Sequence, residues 1–393
     1  MTRLKLAIIA GEASGDILGA DLVRALTLST GSQPDLVGVG GDALAGEGLV
    51  SLFDHTELSI IGFSEVIARL PKLLLRIRQT ADAIIAAAPD LLIIIDSPDF
   101  THRVARRVRA ARPDLRIVNY VCPTVWAWKP GRAPRMRAYV DHVLSIFPFE
   151  PEIVSRLGGP PLTYVGHRLM SDPGLLKACR LQEARRLQEK RPDTGPAAPR
   201  VCLVLPGSRR GEIARLAAPF GAAAAHLARL DPSMRFVVPA AARVEADVRK
   251  AVSKWQVQAD VVSGADAKWQ AFGTADVAIA ASGTVLLELA IVGVPHMSSY
   301  RLDPIARWFL SLITSWTGAL PNLVAGRVVV QEFYNDQVRP ERLAVLANQL
   351  ASDTLWRQAV LADFDLIRAR MTTRWSPSER AAEVVLDLLA DRT

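Results

Sequence analysis

At 393 residues the chain exceeds the usual size of one domain and predicts two domains of roughly 150–200 residues each. Half the residues are apolar, yet no apolar run reaches the ~18–20 residues needed to cross a bilayer, so a membrane-spanning helix is excluded. The net charge of +7 is uneven: ten Lys or Arg and one acid, Asp114, lie between Phe100 and Arg137. Such a patch reads as a site for phosphates or acidic headgroups, or as a solvated helix face; nucleic acid is disfavoured because no recognised binding module accompanies it.

In chain order, Leu4–Ala10 is an apolar run ending in Gly11, the form of a buried parallel strand. The start MTRLKLAIIAGEASGD lacks a small-residue cleavage site and suits a strand entering a turn rather than an export signal. Ile17–Leu26 has helical spacing, with Asp16 placed to suit the helix dipole. Leu36–Val39, Leu91–Ile95, Ile117–Val121 and His142–Ile146 are further strands, with helices predicted over Pro71–Ala88 and Thr101–Arg112. The segment Leu181–Arg200, ending RPDTGPAAPR, reads as an exposed connection. The pattern then restarts with strands at Val201–Leu205, Phe236–Pro239 and Val277–Ala280 and helices at Ala214–Leu230 and Thr284–Val292. The expected fold is therefore α/β: two doubly wound, Rossmann-like domains facing a cleft, over residues 1–180 and 200–340. Residues 341–393 read as helices that pack back on the first domain or on a partner subunit. Three scattered cysteines, Cys122, Cys179 and Cys202, have no metal-ligand spacing and suit a reducing cytosol.

Several strand ends carry chemistry. GEASGD (Gly11–Asp16) is a glycine-containing turn that matches neither a dinucleotide nor a P-loop pattern. It reads as a tight structural turn or as a polar contact in which Glu12 and Asp16 suit sugar hydroxyls and Ser14 and Gly15 lie within reach. In IDSPDF, Asp96 ends an apolar strand, where desolvation raises a carboxyl pKa as a general base requires; the alternative is a buried structural acid. Asp99 follows Pro98 and suits a helix cap. PTVWAWKPGR (Pro123–Arg132) reads as an ordered tryptophan loop that walls a sugar or acyl site, or as core packing. In the second half, LPGSRRGE and SGTVLLE each follow a strand. Gly207 and Ser208 offer donors, Arg209 can bridge phosphate oxygens, Ser282, Gly283 and Thr284 open a helix, and Glu288 suits a ribose. Together they point to a nucleoside diphosphate.

Two apolar stretches remain. Phe63, Val66, Ile67, Leu70, Leu73, Leu74 and Ile77 follow helical spacing with Arg69, Lys72 and Arg76 interleaved, and Pro71 predicts a division into two helices. This stretch reads as packing against a sheet or, beside the basic patch, as an interfacial surface with Phe63, Val66, Ile67, Leu70 and Leu74 as acyl or membrane contacts. RWFLSLITSW, ending at Trp316, carries the same two readings.

GEASGDILGADLVRAL, IDSPDF, PTVWAWKPGR, LPGSRRGE, ASGTVLLE and LPNLVAGR stand in the order found in the lipid-A-disaccharide synthases, and from about Ile8 to Glu332 the chain resembles that family. The resemblance implies a GT-B glycosyltransferase of Gram-negative bacteria, inverting, with no metal and no cofactor, UDP being released as product. Its substrates would be UDP-2,3-diacylglucosamine and 2,3-diacylglucosamine 1-phosphate. It would work in the cytoplasm at the inner-membrane surface, with a homodimer left open. By the same resemblance Asp96 is the essential acid, Arg209 contacts UDP, Asn322 is a further residue needed for activity and is assigned to substrate binding, and Glu12 and Ser14 belong to the active-site turn. QEFYND (Gln331–Asp336) departs from the pattern. On the residues alone, a UDP-sugar 2-epimerase, an N-acetylglucosaminyltransferase and a non-catalytic nucleotide- or lipid-binding protein are the alternatives; the VWAW and IDSPDF motifs argue against the first two, and the retained Asp96, Arg209 and Asn322 against the third.

Overall fold

The computed structural model describes residues 3–58, 63–189, 199–302 and 314–391, with the backbone alone for 63–70 and 189. The chain forms two units, Met1–Arg168 with Thr373–Thr393, and Leu169–Thr372.

The first unit holds six parallel strands: β1 (Lys5–Ala10), β2 (Asp35–Val39), β3 (Leu91–Ile95), β4 (Arg116–Tyr120), β5 (His142–Ser145) and β6 (Leu162–Tyr164), in the order β2-β1-β3-β4-β5-β6. Side chains alternate between the sheet's faces. Ala7, Ile9, Leu92 and Ile94 join one core with Ile77, Ala81 and Ile84 of the helix Phe63–Ala87 and Val104 and Val108 of the helix Pro98–Ala111. Leu6, Ile8, Ile93 and Ile95 join the other with Leu22, Val23 and Leu26 of the helix Ala13–Thr30. Covered on both faces, β1 from Leu6 onward and the whole of β3 must be apolar, which is why they read as continuous runs. Pro71 does not divide its stretch in two; it lies inside one helix, Phe63–Ala87, whose inward face downstream of it stays continuous.

The second unit repeats the plan with β7 (Val201–Leu205), β8 (Arg235–Ala240), β9 (Ala259–Ser263), β10 (Val277–Ala281), β11 (His296–Tyr300) and β12 (Glu332–Tyr334), in the order β12-β11-β10-β7-β8-β9 and all parallel. Asp276 ties it together. Its carboxylate accepts the Val201 N–H at 2.7 Å and pairs with Arg185 at 2.9 Å, while its carbonyl accepts from Arg357 at 2.7 Å.

These contacts move the expected boundary. The helix Pro173–Glu189 belongs to the second unit, anchored through Arg185 and through Gln182, which donates to the Phe272 and Ala275 carbonyls. The three C-terminal helices divide. Pro340–Ala351 and Leu355–Met371 stay with the second unit, and Pro377–Ala390 joins the first, where Ala381, Ala382 and Val385 complete the core beside Leu22 and Leu26. A capping box starts that last helix: Ser376 Oγ accepts the Glu379 N–H, and Glu379 accepts the Ser376 N–H at 3.0 Å. Among the described residues no helix is long and apolar enough to cross a membrane. Of the predicted connection, residues 190–198 lie outside the described residues, as do 307–313 of the RWFLSLITSW stretch.

Candidate functional site

In the first unit the strand order reverses between β1 and β3, so the loops that follow these two strands meet. They meet closely: a Cβ at Gly11 would fall 2.4 Å from Ser97 Oγ, and one at Gly15 would fall 3.3 Å from Ile95. GEASGD and IDSPDF thus form one constellation, with Glu12 and Ser14 exposed above it and Gly15 buried beneath. Asp96 and Ser97 both adopt left-handed backbone, φ 51° and 43°. Two consecutive non-glycine residues there store strain of about 1–3 kcal/mol each, a feature concentrated at functional sites. The backbone is held by Asp96 N–H to the Tyr120 carbonyl at 3.3 Å and by Thr101 Oγ1 to the Asp96 carbonyl at 2.7 Å. The Asp96 carboxylate accepts only the Ser97 N–H, at 2.8 Å, among the described residues; burial holds its pKa above the ordinary 3.8 and the Ser97 bond pulls the other way.

Two neighbouring acids have other work. Asp16 is buried and accepts from the Gly41, Ala43 and Leu44 N–H groups at 2.7, 2.9 and 3.2 Å, so it caps the helix Asp42–Gly46 rather than meeting sugar hydroxyls. Asp99 does not cap its helix but pairs at 3.2 Å with Arg132 of the tryptophan loop.

In the second unit the reversal falls between β7 and β10, and a hollow of about 660 Å³ opens at the carboxyl ends of β7, β8, β9 and β10. It is lined by Gly207, Ser208, Arg209, Ser282, Gly283, Thr284 and Glu288, so every nucleotide-binding candidate borders one space. Their hydrogen bonding differs from one to the next. Glu212, at the third position of the helix Arg210–Leu230, reaches back to accept the Ser208 N–H at 3.0 Å and the Arg209 N–H at 3.3 Å. Those two amides are therefore not open donors; the loop contributes the Arg209 side chain, 70% exposed and only 3.5 Å from Glu212 at its nearest. Gly207, at φ 122°, is required because a Cβ would lie 2.5 Å from that of Glu212. By contrast, the N–H groups of Gly283, Thr284 and Val285 find no acceptor among the described residues, and they open the helix Val285–Val292. Free amides at a helix start form an anion site. Glu288 is paired with Lys268 at 2.6 Å, so the acid enters the hollow with its charge largely balanced.

Asn322 departs most from its expected role as a substrate contact. It is fully buried, and all four of its hydrogen-bonding positions are filled. Oδ1 accepts the Val329 and Val330 N–H groups, both at 2.8 Å, and Nδ2 donates to Thr317 Oγ1 at 3.1 Å and the Val330 carbonyl at 3.0 Å. Thr317 in turn donates to Glu332 of QEFYND, which also accepts the Gly318 N–H at 3.0 Å and the Tyr334 hydroxyl at 2.5 Å. Asn322 has no bond left for a substrate; it fixes the segment beside Ser282.

Of the acyl-contact candidates, Phe63, Val66, Ile67 and Leu70 have side chains outside the described residues. Leu74 is 48% exposed and its neighbour Leu75 61%, whereas Leu73 packs on the core. Lys72 and Arg76 are both paired with Glu57, at 3.2 and 2.9 Å.

Sequence reasoning missed Glu212, Lys268 and Glu150. The first had a signal, a Glu three residues after the helix N-cap. Lys268 lies in a short helix without a motif. Glu150 is buried behind the tryptophan loop, and FPFE offers no spacing that reveals it. Among the described residues no group of three or more His, Cys, Asp or Glu is gathered to hold a metal ion.

A family model described as lipid-A-disaccharide synthetase matches residues 6–376. A lipid-A-disaccharide synthase of Rhodopseudomonas palustris strain BisB18 is 48% identical over 387 residues, 98% of this chain and 96% of its own length. One of Bradyrhizobium diazoefficiens is 44% identical over 386 residues, with the same 98% and 96% coverage. Among solved structures, the glycotransferase of kitacinnamycin superposes with a TM-score of 0.61 at 14% identity, over 98% of this chain and 99% of that one.

The saturated bonding of Asn322 generates a stability prediction. Asn322→Ala leaves the buried Val329 and Val330 amides without an acceptor, at about 1–3 kcal/mol each. Urea unfolding should show a loss of about 2–5 kcal/mol. A loss under about 0.5 kcal/mol, the range of an ordinary surface change, would remove Asn322 from this role.

Proposed function

The chain belongs to the lipid-A-disaccharide synthase family and is a glycosyltransferase of lipid A biosynthesis; from that premise we propose that it joins UDP-2,3-diacylglucosamine to 2,3-diacylglucosamine 1-phosphate, with inversion at the anomeric carbon, giving lipid A disaccharide 1-phosphate and UDP. The observation that carries the donor assignment is the hollow of the second unit, which presents an exposed Arg209 and three amides that have no acceptor among the described residues. A diphosphate set on the Gly283–Val285 helix start would leave Arg209 to meet a second phosphate, and Ser282 and Ser208 to supply hydroxyls.

On this reading Asp96 takes the proton from the attacking acceptor hydroxyl. The oxygen forms its bond to the anomeric carbon as the bond to the diphosphate breaks, and the electron pair leaves with UDP. The hydroxyl's pKa lies far above neutrality, and a positioned base contributes about 10²–10⁴ in rate. Negative charge grows on the departing phosphate, where fixed amides and Arg209 stabilise it without reorganising; the reading asks for no metal and no cofactor there. Glu12 and Ser14, exposed beside Asp96, are assigned to the acceptor sugar.

Both substrates carry long acyl chains, and withdrawing each CH₂ into water costs about 0.8 kcal/mol. The proposal therefore places the enzyme on the inner face of the cytoplasmic membrane. Leu74 and Leu75 would enter the interface, with Arg103, Arg106 and Arg107, exposed on the neighbouring helix, near anionic headgroups.

Asp96→Asn should lower turnover of the two acyl sugars by about 10²–10⁴ while UDP affinity, measured by calorimetry, stays unchanged. The wild-type acid limb should lie above the ordinary carboxylate 3.8, because burial raises the pKa and the base acts ionised: activity falls as pH drops through the raised pKa. Near-normal turnover in the variant would sink Asp96 as base. Arg209→Ala should weaken UDP binding by about 1.5–3 kcal/mol, the range for a charge-assisted bond, and unchanged affinity would move Arg209 off the diphosphate. The double variant Leu74→Ser, Leu75→Ser should bind anionic vesicles less well in co-sedimentation at an unchanged melting temperature; undiminished binding would exclude these residues as the membrane contact.

A further inference from the structure

The tryptophan loop PTVWAWKPGR lies between the Asp96 loop and the turn after β5, and its backbone is strained at both ends. Val121, at its root, has φ 72°, a left-handed conformation that a β-branched residue rarely adopts, and Lys129 has φ 52°. Strain of this kind persists only where surrounding contacts over-determine it. On one side Arg132 binds Asp99 at 3.2 Å, three residues from Asp96, and the Asp96 N–H bonds to the Tyr120 carbonyl that precedes Val121. On the other side stands Glu150, 1% exposed. One of its oxygens accepts the Trp126 indole N–H at 3.2 Å and the other accepts the Phe147 N–H at 3.2 Å. Around this bond Trp126 meets Phe149 edge-on at 5.4 Å, and Phe149 stacks on Phe147 at 5.5 Å.

We infer that Glu150 is a positioning residue for the transfer reaction: through Trp126 it clamps the strained tryptophan loop, which through Arg132 and Asp99 sets the Asp96 loop. A carboxyl buried with no cation paired to it among the described residues needs such a reason, since an apolar residue would fill the space without the desolvation penalty. Burial pushes Glu150 up to about 8, while the bonds from the Trp126 and Phe147 N–H groups pull the other way; glutamine matches its shape but keeps one acceptor oxygen of the two. The neighbouring Cys122 thiol and Tyr164 phenol, both pushed up by burial, can lose a proton but carry no positive charge, so neither supplies a countercharge.

The inference rests on the proposed transfer, and the experiment separates the two. Glu150→Ala, Glu150→Gln and Trp126→Phe are compared with wild type for turnover, UDP affinity and trypsin cleavage after Arg132. Glu150→Ala and Trp126→Phe should lose about tenfold or more in turnover, as expected when a reacting group is misplaced by a fraction of an ångström. Glu150→Gln, whose one oxygen can still accept the Trp126 N–H while its NH₂ leaves the Phe147 N–H without an acceptor, should lose less turnover than Glu150→Ala. UDP affinity, which belongs to the other unit, should hold in all three, and Glu150→Ala should be cleaved after Arg132 faster than wild type. Turnover of Glu150→Ala within about twofold of wild type overturns the inference. So does equal damage in Glu150→Gln, or loss of UDP affinity alongside turnover, which marks general unfolding. If wild type transfers no sugar at all, the functional reading fails, and proteolysis still decides: faster cleavage in Glu150→Ala upholds the clamp, and an unchanged rate overturns it.

Discussion

A parallel sheet that is extended first to one side and then to the other contains one pair of adjacent strands whose following helices must leave to opposite faces. The two loops diverge and a crevice opens above that pair. Both units obey this constraint, the first between β1 and β3 and the second between β7 and β10. The local sequence answers to it. Gly11 has no Cβ because Ser97 occupies that space, and Gly207 has none because Glu212 does. A glycine turn followed by a helix is thus a consequence of where the strand order reverses, and the chemistry-bearing residues gather there because the crevice is the one place the sheet leaves open.

Across the two units backbone amides are sorted into two kinds. Some are claimed by a buried side chain: Asp16 holds three, Glu212 two, Asn322 two, and Glu150 that of Phe147. Others, at Gly283, Thr284 and Val285, are left open among the described residues. An amide bonded to a fixed carboxylate is rigid and unavailable, while an open one at a helix start is available and aligned with the dipole. This division separates residues that shape the site from residues that touch a ligand, and it moves Asn322 and Asp16 to the first group. A buried amide side chain with all four bonds made can still be indispensable, because its loss disorders what it holds.

Much of the fold was legible because β1, β3, β7 and β10 are covered on both faces and therefore apolar along their length but for Lys5 at the start of β1. The strands that escaped notice lack that signature for identifiable reasons. β6 and β12 are three-residue edge strands, and β9, another edge, carries Asp260. β11 is buried but reads His-Met-Ser-Ser-Tyr, so its small polar residues hide it. The site was legible where a motif follows a strand, as at Asp96, Arg209 and Ser282. It was not legible where a lone side chain acts from a distance in sequence: Lys268 reaches Glu288 and Glu150 reaches Trp126, and no local spacing encodes either pair. The units divide at Arg168, ahead of the residue 180 expected, because the helix Pro173–Glu189 precedes the polar connection in sequence but takes its contacts from residues near Asp276.

The two crevices also differ in what they are made of. The one in the second unit offers chiefly backbone amides and glycine, which many sequences can supply without altering the geometry. That is consistent with a fold shared at 14% identity over nearly whole chains. The crevice in the first unit instead presents a particular carboxyl group on a backbone bent into the left-handed region at Asp96 and Ser97, supported by the Tyr120 carbonyl and by Thr101. Such a conformation has to be held by its surroundings, so its maintenance depends on more of the sequence than the anion site does. A change of substrate within this fold would therefore be expected to leave the amides of the second unit in place and to rewrite the loops of the first, where side chains rather than backbone make the chemistry.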